Sequence, residues 1–202
     1  LPGFDTIGTM KEILKTGYDY SWFVLTQKII EKEFALSGSE QNPDFTSGSW
    51  KEVLKSRLGK GATAPVEAFK EHGEDFVVAD TLEELVNGMN KVGGGDRIKL
   101  DHLRSQIEAR DLQMDNAFSK DAQIMAIHAA RRYRGDRLVR TAKPHRILDP
   151  DAGPLIAVKL HVLTRKSLGG LHTDVEARVL RPGGEVFPGL YAAGEVAGFG
   201  GG

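Results

Sequence analysis

Pro188-Gly189-Leu190-Tyr191-Ala192-Ala193-Gly194-Glu195-Val196-Ala197-Gly198-Phe199-Gly200-Gly201-Gly202 is the most informative stretch of the chain. Leu190 to Ala193 reads as a short buried strand of mostly small apolar residues, and Gly194-Glu195 closes it with a bend and one carboxylate. The glycines that follow let a backbone come close to a large ligand, because no side chain stands between them. A carboxylate beside such a backbone is the acceptor that a ribose or ribityl hydroxyl requires.

Working upstream, Arg181-Pro182-Gly183-Gly184 is a turn signal, and Glu185-Val186-Phe187 returns from it as a strand. Val175 to Leu180 alternates, while Leu155-Ile156-Ala157-Val158 and Leu160 to Leu163 form apolar, β-branched runs. Before about residue 145 the texture is helical. Met10, Ile13 and Leu14 keep helical spacing, and Trp22, Phe23, Ile29, Ile30 and Phe34 read as a second helical stripe. Ser37 to Ser49 reads as loop. Ser49-Trp50-Lys51-Glu52 fits a capping box, with Trp50, Val53, Leu54 and Leu58 as the buried face. Phe76 to Ala79 is a short extended run, and Thr81-Leu82-Glu83-Glu84 is a second capping box. Leu82, Leu85, Val86 and Met89 follow it at helical spacing, and Gly93-Gly94-Gly95 breaks the pattern. Further helices are predicted over about 101–115 and 121–133. The expected class is therefore α+β: a helix-rich portion over residues 1–145, then a small, mostly antiparallel strand region over 146–202.

Composition bounds the function. The chain has 202 residues, is 40% hydrophobic and 27% charged, and carries a formal net charge of −1. Those values suit an ordinary globular protein, and nothing global favours nucleic acid or an anionic membrane. The absence of cysteine excludes disulfides, thiolate metal sites and cysteine nucleophiles. No apolar run approaches the length of a membrane span, and a cytoplasmic location is expected. Leu1-Pro2-Gly3-Phe4 and the closing glycine tract both read as the interior of a longer chain, so the remainder of the same polypeptide is an expected partner.

Five patches in order carry a family resemblance. They are Phe76 to Leu85, Asn116 to Asp121, Gly153 to Val158, Ser167-Leu168-Gly169-Gly170-Leu171 with Asp174, and Gly189 to Glu195. Together they resemble the FAD-binding dehydrogenases of the fumarate reductase/succinate dehydrogenase flavoprotein and 3-ketosteroid dehydrogenase-like family. The resemblance implies a capping domain (1–145) followed by returning strands of an FAD-binding domain (146–202). It implies hydride transfer between flavin N5 and a carbon–carbon bond next to a carbonyl or carboxylate of a small-molecule substrate. The glycine-rich dinucleotide fingerprint of such enzymes is absent from the chain, so this piece alone is expected to be inactive.

The same resemblance distributes roles. Gly194, Glu195, Gly198, Gly200 and Gly201 would hold FAD, and the Gly169-Gly170 turn would turn its amides to flavin or substrate. Arg165, beside Lys166, would bind an anion or an enolate-like oxygen. His172 would serve as a general acid or base. His128 and His161 read as structural. Arg165 and Lys166 stand where soluble fumarate reductases carry histidine, and Leu155-Ile156 stand where the ketosteroid branch carries an aromatic pair. Neither substrate is singled out.

A rival class is a non-catalytic anion- or nucleic-acid-binding module. It would use Arg131, Arg132, Arg134, Arg137, Arg140, Lys143 and Arg146 as its working surface. With near-neutral net charge and one nearby ring, Tyr133, nucleic acid is not expected as a partner. No metal site is expected: Asp149-Pro150-Asp151 lacks a following ligand array.

Overall fold

A computed structural model describes residues 6–33, 49–51, 61–134, 142–163 and 169–198. The chain forms two compact units, Leu1–His161 and Val162–Gly202. The units part at 161/162, later in the chain than the expected 145/146.

In the first unit, α1 (Thr6–Lys15), β1 (Tyr20–Thr26), α2 (Gln27–Glu33), α3 (Ala64–His72), β2 (Phe76–Ala79), α4 (Leu82–Gly93), α5 (Leu100–Met114), α6 (Ala122–Arg132) and β3 (Leu155–His161) follow in order. The three strands form one antiparallel sheet in the order β1-β3-β2. Leu155 and Ala157 of β3 pack into a cluster with Leu82, Leu85 and Met89 of α4 and Ile107 of α5. Ile156 and Val158 enter a second cluster with Leu25, Ile30 of α2 and Val66 of α3. The first four residues of β3, Leu155 to Val158, are thus buried on both faces, which is why that stretch runs apolar without alternation.

Helix α4 shows how local sequence fixes this core. Thr81 Oγ1 accepts from the Glu84 amide at 3.2 Å, and Glu84 Oε2 accepts from the Thr81 amide at 3.2 Å, completing the predicted capping box. The four predicted apolar residues are all buried. Gly94 ends the helix in the left-handed region at φ 69°. Gly88 brings the helix onto β2: a Cβ there would lie 2.3 Å from Val77 Cγ1.

A second tie is remote in sequence. The Asp111 carboxylate on α5 is buried and accepts from the amides of Ile147 and Leu148 at 2.8 and 2.9 Å, and from Arg110 Nη1 at 2.8 Å. Those bonds fix the segment leading into β3. Nearby, His145 Nε2 meets the buried Thr26 Oγ1 at 2.8 Å.

Two helical readings are corrected. Trp22 and Phe23 lie in β1, not in a helix. The strand runs into α2 with no intervening residue, so helical spacing read across the junction joined two different elements. Trp50 is 85% exposed rather than buried. The rest of its predicted helix (52–60) and the 37–48 loop lie outside the described residues. The predicted helices over 101–115 and 121–133 correspond to α5 and α6.

The second unit holds β4 (Arg178–Leu180) and β5 (Val186–Tyr191), an antiparallel pair, followed by a 3-10 turn at Gly194–Ala197. All of β5 is exposed; of the buried strand expected over Leu190 to Ala193, Ala192 alone is buried. Among the described residues of this unit β4 is its one ladder partner, and no helix layer covers it. The class as a whole is α+β, as expected.

Among the described residues, no helix is long and apolar enough to cross a membrane. No cluster of three metal-ligating side chains occurs among them either.

Candidate cofactor site

The site is built on the β4–β5 hairpin. Arg181 closes the predicted turn: its amide donates to Glu185 O at 2.8 Å, and its carbonyl accepts from the Gly184 amide at 2.8 Å. The ladder is irregular between the pairs Arg178↔Tyr191 and Leu180↔Val186. Pro188 contributes no amide there, and Gly189 adopts φ 77°.

Upstream, a loop from Thr173 to Arg178 is tied by one side chain. Asp174 Oδ1 accepts from the amides of Glu176 (3.1 Å) and Arg178 (2.9 Å), and Oδ2 accepts from Arg178 Nε at 2.7 Å. Partial burial opposes ionisation of this carboxyl. The Arg178 amide, the Arg178 guanidinium and the Glu176 amide outweigh that and hold it below the usual carboxylate range. Within the loop Ala177 sits at φ 61°, which costs a residue with a Cβ about 1–2 kcal/mol.

The loop and the chain terminus are joined at two points. Ala177 O accepts from the Ala192 amide at 2.9 Å, and Val196 O accepts from the Leu171 amide at 2.9 Å. Gly170 lies against the Ala197–Gly198 backbone so closely that a Cβ would sit 2.2 Å from Gly198 N. Two glycine segments that the sequence assigned to one cofactor are therefore brought side by side.

Between those joints, Gly194 takes φ 69°, and a Cβ added there would meet nothing within 4 Å. Glu195 is exposed, and its carboxylate accepts no hydrogen bond from a described residue. An open backbone face beside a carboxylate that no described residue engages fits a sugar-type hydroxyl next to a dinucleotide. The residues present are consistent with FAD on that ground.

The remaining predicted residues fall as follows. Gly169 has open space on its Cβ side, whereas that of Gly170 is filled by protein backbone. Gly198 adopts φ 115°. The His172 carbonyl accepts from the Leu180 amide at 2.7 Å, while its exposed ring meets no described partner. Arg165, Lys166, Gly200 and Gly201 lie outside the described residues. Leu155 and Ile156 are core residues on opposite faces of β3. His161 pairs with Asp75 at 3.1 Å. Sequence reasoning noted Asp174 in passing and missed Arg178. The signal was available, because an aspartate bonding to amides two and four residues on is an Asx-type turn.

In the basic cluster, Arg131 is paired with Glu33 at 2.7 Å, and Arg146 with Asp115 at 2.7 Å. Residues 135–141 lie outside the described residues.

Three comparisons bear on this geometry. The family model described as "FAD binding domain" matches residues 9–202. A "KsdD-like steroid dehydrogenase MT0809" of Mycobacterium tuberculosis (strain CDC 1551 / Oshkosh) is 59% identical over 203 residues, covering 100% of this chain and 36% of its own length. A "KsdD-like steroid dehydrogenase" of Mycolicibacterium smegmatis is 57% identical, with 100% of this chain and 37% of the relative covered. The chain thus spans about a third of the length of these relatives. Among solved structures, a 3-ketosteroid delta1-dehydrogenase from Sterolibacterium denitrificans, in complex with 1,4-androstadiene-3,17-dione, matches at 22% identity and TM-score 0.37 over 88% of this chain and 33% of that one. With the family model matching residues 9–202, this chain belongs to the FAD binding domain family.

Proposed function

We propose that this chain works within a polypeptide of its relatives' length as part of an FAD-dependent dehydrogenase. The substrate would be a steroid bearing a ketone, oxidised or reduced at a carbon–carbon bond next to that carbonyl. The observation that carries the reading is identity of 57–59% over the whole chain with mycobacterial proteins named KsdD-like steroid dehydrogenase. The helix-rich unit up to His161 would cap the substrate, and the following unit would belong to the cofactor-binding domain.

FAD, when bound, supplies the hydride-transfer chemistry. Glu195 accepts a ribose or ribityl hydroxyl. Gly194 and Gly198, with Gly200 and Gly201, keep side chains out of the cofactor's way, and Gly169-Gly170 turns backbone amides toward flavin or substrate. Arg165 opposes negative charge developing on the substrate oxygen. His172 moves the proton that accompanies hydride transfer. The chain by itself would be inactive.

The test uses a full-length protein that carries this chain. Purified, it should show oxidised-flavin absorbance, and a steroid ketone added without oxygen should bleach that absorbance. Bleaching by no steroid, with reoxidation of the reduced protein by fumarate, would replace the steroid reading with a carboxylate one. A colourless protein retained on heparin and released by salt would favour the anion-binding module. The ion pairs of Arg131 and Arg146 lend that module no support.

A further inference from the structure

We propose that Asp174 is a positioning residue for the cofactor: its carboxylate sets the conformation of the Gly194-Glu195 bend. The inference rests on the reading that this bend faces FAD. Every link lies within the second unit.

Asp174 acts on the loop first. Its Oδ1 takes the amides of Glu176 and Arg178, and its Oδ2 takes the Arg178 guanidinium. Its backbone closes the same turn: Asp174 O accepts from the Ala177 amide at 3.0 Å, and its amide donates to Arg178 O at 3.1 Å. In that turn Ala177 is held at φ 61°, and it is the one non-glycine residue with positive φ among the described residues. A left-handed alanine persists where its neighbours hold it there. The carboxylate supplies that hold through bonds on both sides of Ala177.

The loop then acts on the bend. With Ala177 left-handed, its carbonyl is aimed at the Ala192 amide, 2.9 Å away. The two arms of the loop pair with each other through Thr173↔Val179 and through the Leu180 amide to His172 O. The upstream arm continues to Leu171, whose amide donates to Val196 O. Ala192 and Val196 bracket Ala193-Gly194-Glu195. The loop therefore holds the bend at both ends by hydrogen bonds to the flanking Ala192 and Val196. Three hydrogen bonds donated to its carboxylate favour the ionised form of Asp174, so the tie persists at neutral pH.

The experiment measures FAD affinity by titrating apo full-length protein with FAD well below its melting temperature. Asp174→Asn keeps the size but weakens the amide and guanidinium bonds, and should lower affinity about 10-fold. Ala177→Val places a β-branched residue at positive φ and should do the same through the other end of the tie. Ala177→Gly in the Asp174→Asn background should recover several-fold, because glycine reaches that φ without help. A role confined to stability would shift the melting temperature of Asp174→Asn, leave its FAD affinity unchanged and show no glycine rescue. That result would overturn the proposal. Glu195→Gln separates the two levels. If it weakens FAD binding while Asp174→Asn and Ala177→Val do not, the positioning role fails and the reading of the bend stands. If all three bind FAD as the parent does, the bend does not face FAD and both fail. Should Asp174→Asn not fold, Ala177→Val against Ala177→Gly carries the same decision.

Discussion

Strand β3 of the first unit and strand β5 of the second have similar lengths and opposite surroundings. From Leu155 to Val158 every side chain of β3 is buried, with strands on both edges and helices on both faces. Strand β5 is exposed at all six positions and has one partner strand among the described residues. The first unit is held mainly by burial, with the Asp111 carboxylate as one buried polar tie inside it. The second is held by hydrogen bonds to a few loop atoms, with Asp174 at their centre. A fold held by burial tolerates little change of volume, whereas one held by a polar tie is sensitive to a single carboxyl.

The largest effect that could break this contrast is in the first unit. Asp111→Ala strands the amides of Ile147 and Leu148 and removes the ion-pair partner of Arg110. It should lower stability by about 3 kcal/mol or more. Urea unfolding followed through Trp22, which packs on the α4 core, measures it. A loss below about 1 kcal/mol would mean that water replaces the carboxylate easily, and that the segment is held otherwise.

Gly88→Ala comes next and has a sharp sign. Helix propensity alone favours alanine by about 1 kcal/mol. The Val77 contact opposes it, and the net should be a loss of about 1–3 kcal/mol from overpacking. A gain in stability would show that α4 can lift off β2 without penalty.

Acid should sharpen the comparison from the other side. Asp174 is held below the ordinary carboxyl value of about 3.9. Its tie therefore adds stability above that value and loses it as pH falls through the lowered one. Amide exchange at Glu176 and Arg178 should accelerate there, and Asp174→Asn should abolish the step. Protection unchanged on acidification would mean that the backbone turn suffices. Glu67 in the first unit is also lowered: burial opposes this, while Lys70, the Ala62 amide and Gln27 outweigh it. Its loss on acidification should loosen the end of α3 and leave β3 protected.

The smallest effect belongs to β5. Leu190→Ala, at a side chain 40% exposed, should change the chain's stability by about 0.5 kcal/mol or less. A larger change would show that β5 is covered.

What could be read from the sequence followed the range of the forces. Helix α4 was legible from Thr81 to Gly94 because cap, apolar stripe and stop signal all lie within one element. Strand β1 was not, since Trp22 and Phe23 gain their strand character from pairing with residues of β3 more than 130 positions on. Asp111 gave no local hint, because the amides it satisfies are 36 and 37 residues away. In the candidate cofactor site, the glycines and the Glu195 carboxylate could be picked out as residue types, and Gly170 does meet a backbone too close for any side chain. Their conjunction with the Gly170 loop was not legible, for it depends on how the Asp174 turn folds back.

The order β1-β3-β2 also sets a timetable for synthesis. Neither outer strand touches the other, and the central one is the last of the three to leave the ribosome. Until about residue 161 emerges, the two earlier strands have no ladder to join, and the helices between them have no floor to rest on. The first unit must therefore wait, partly made and with apolar edges open, for its own keystone.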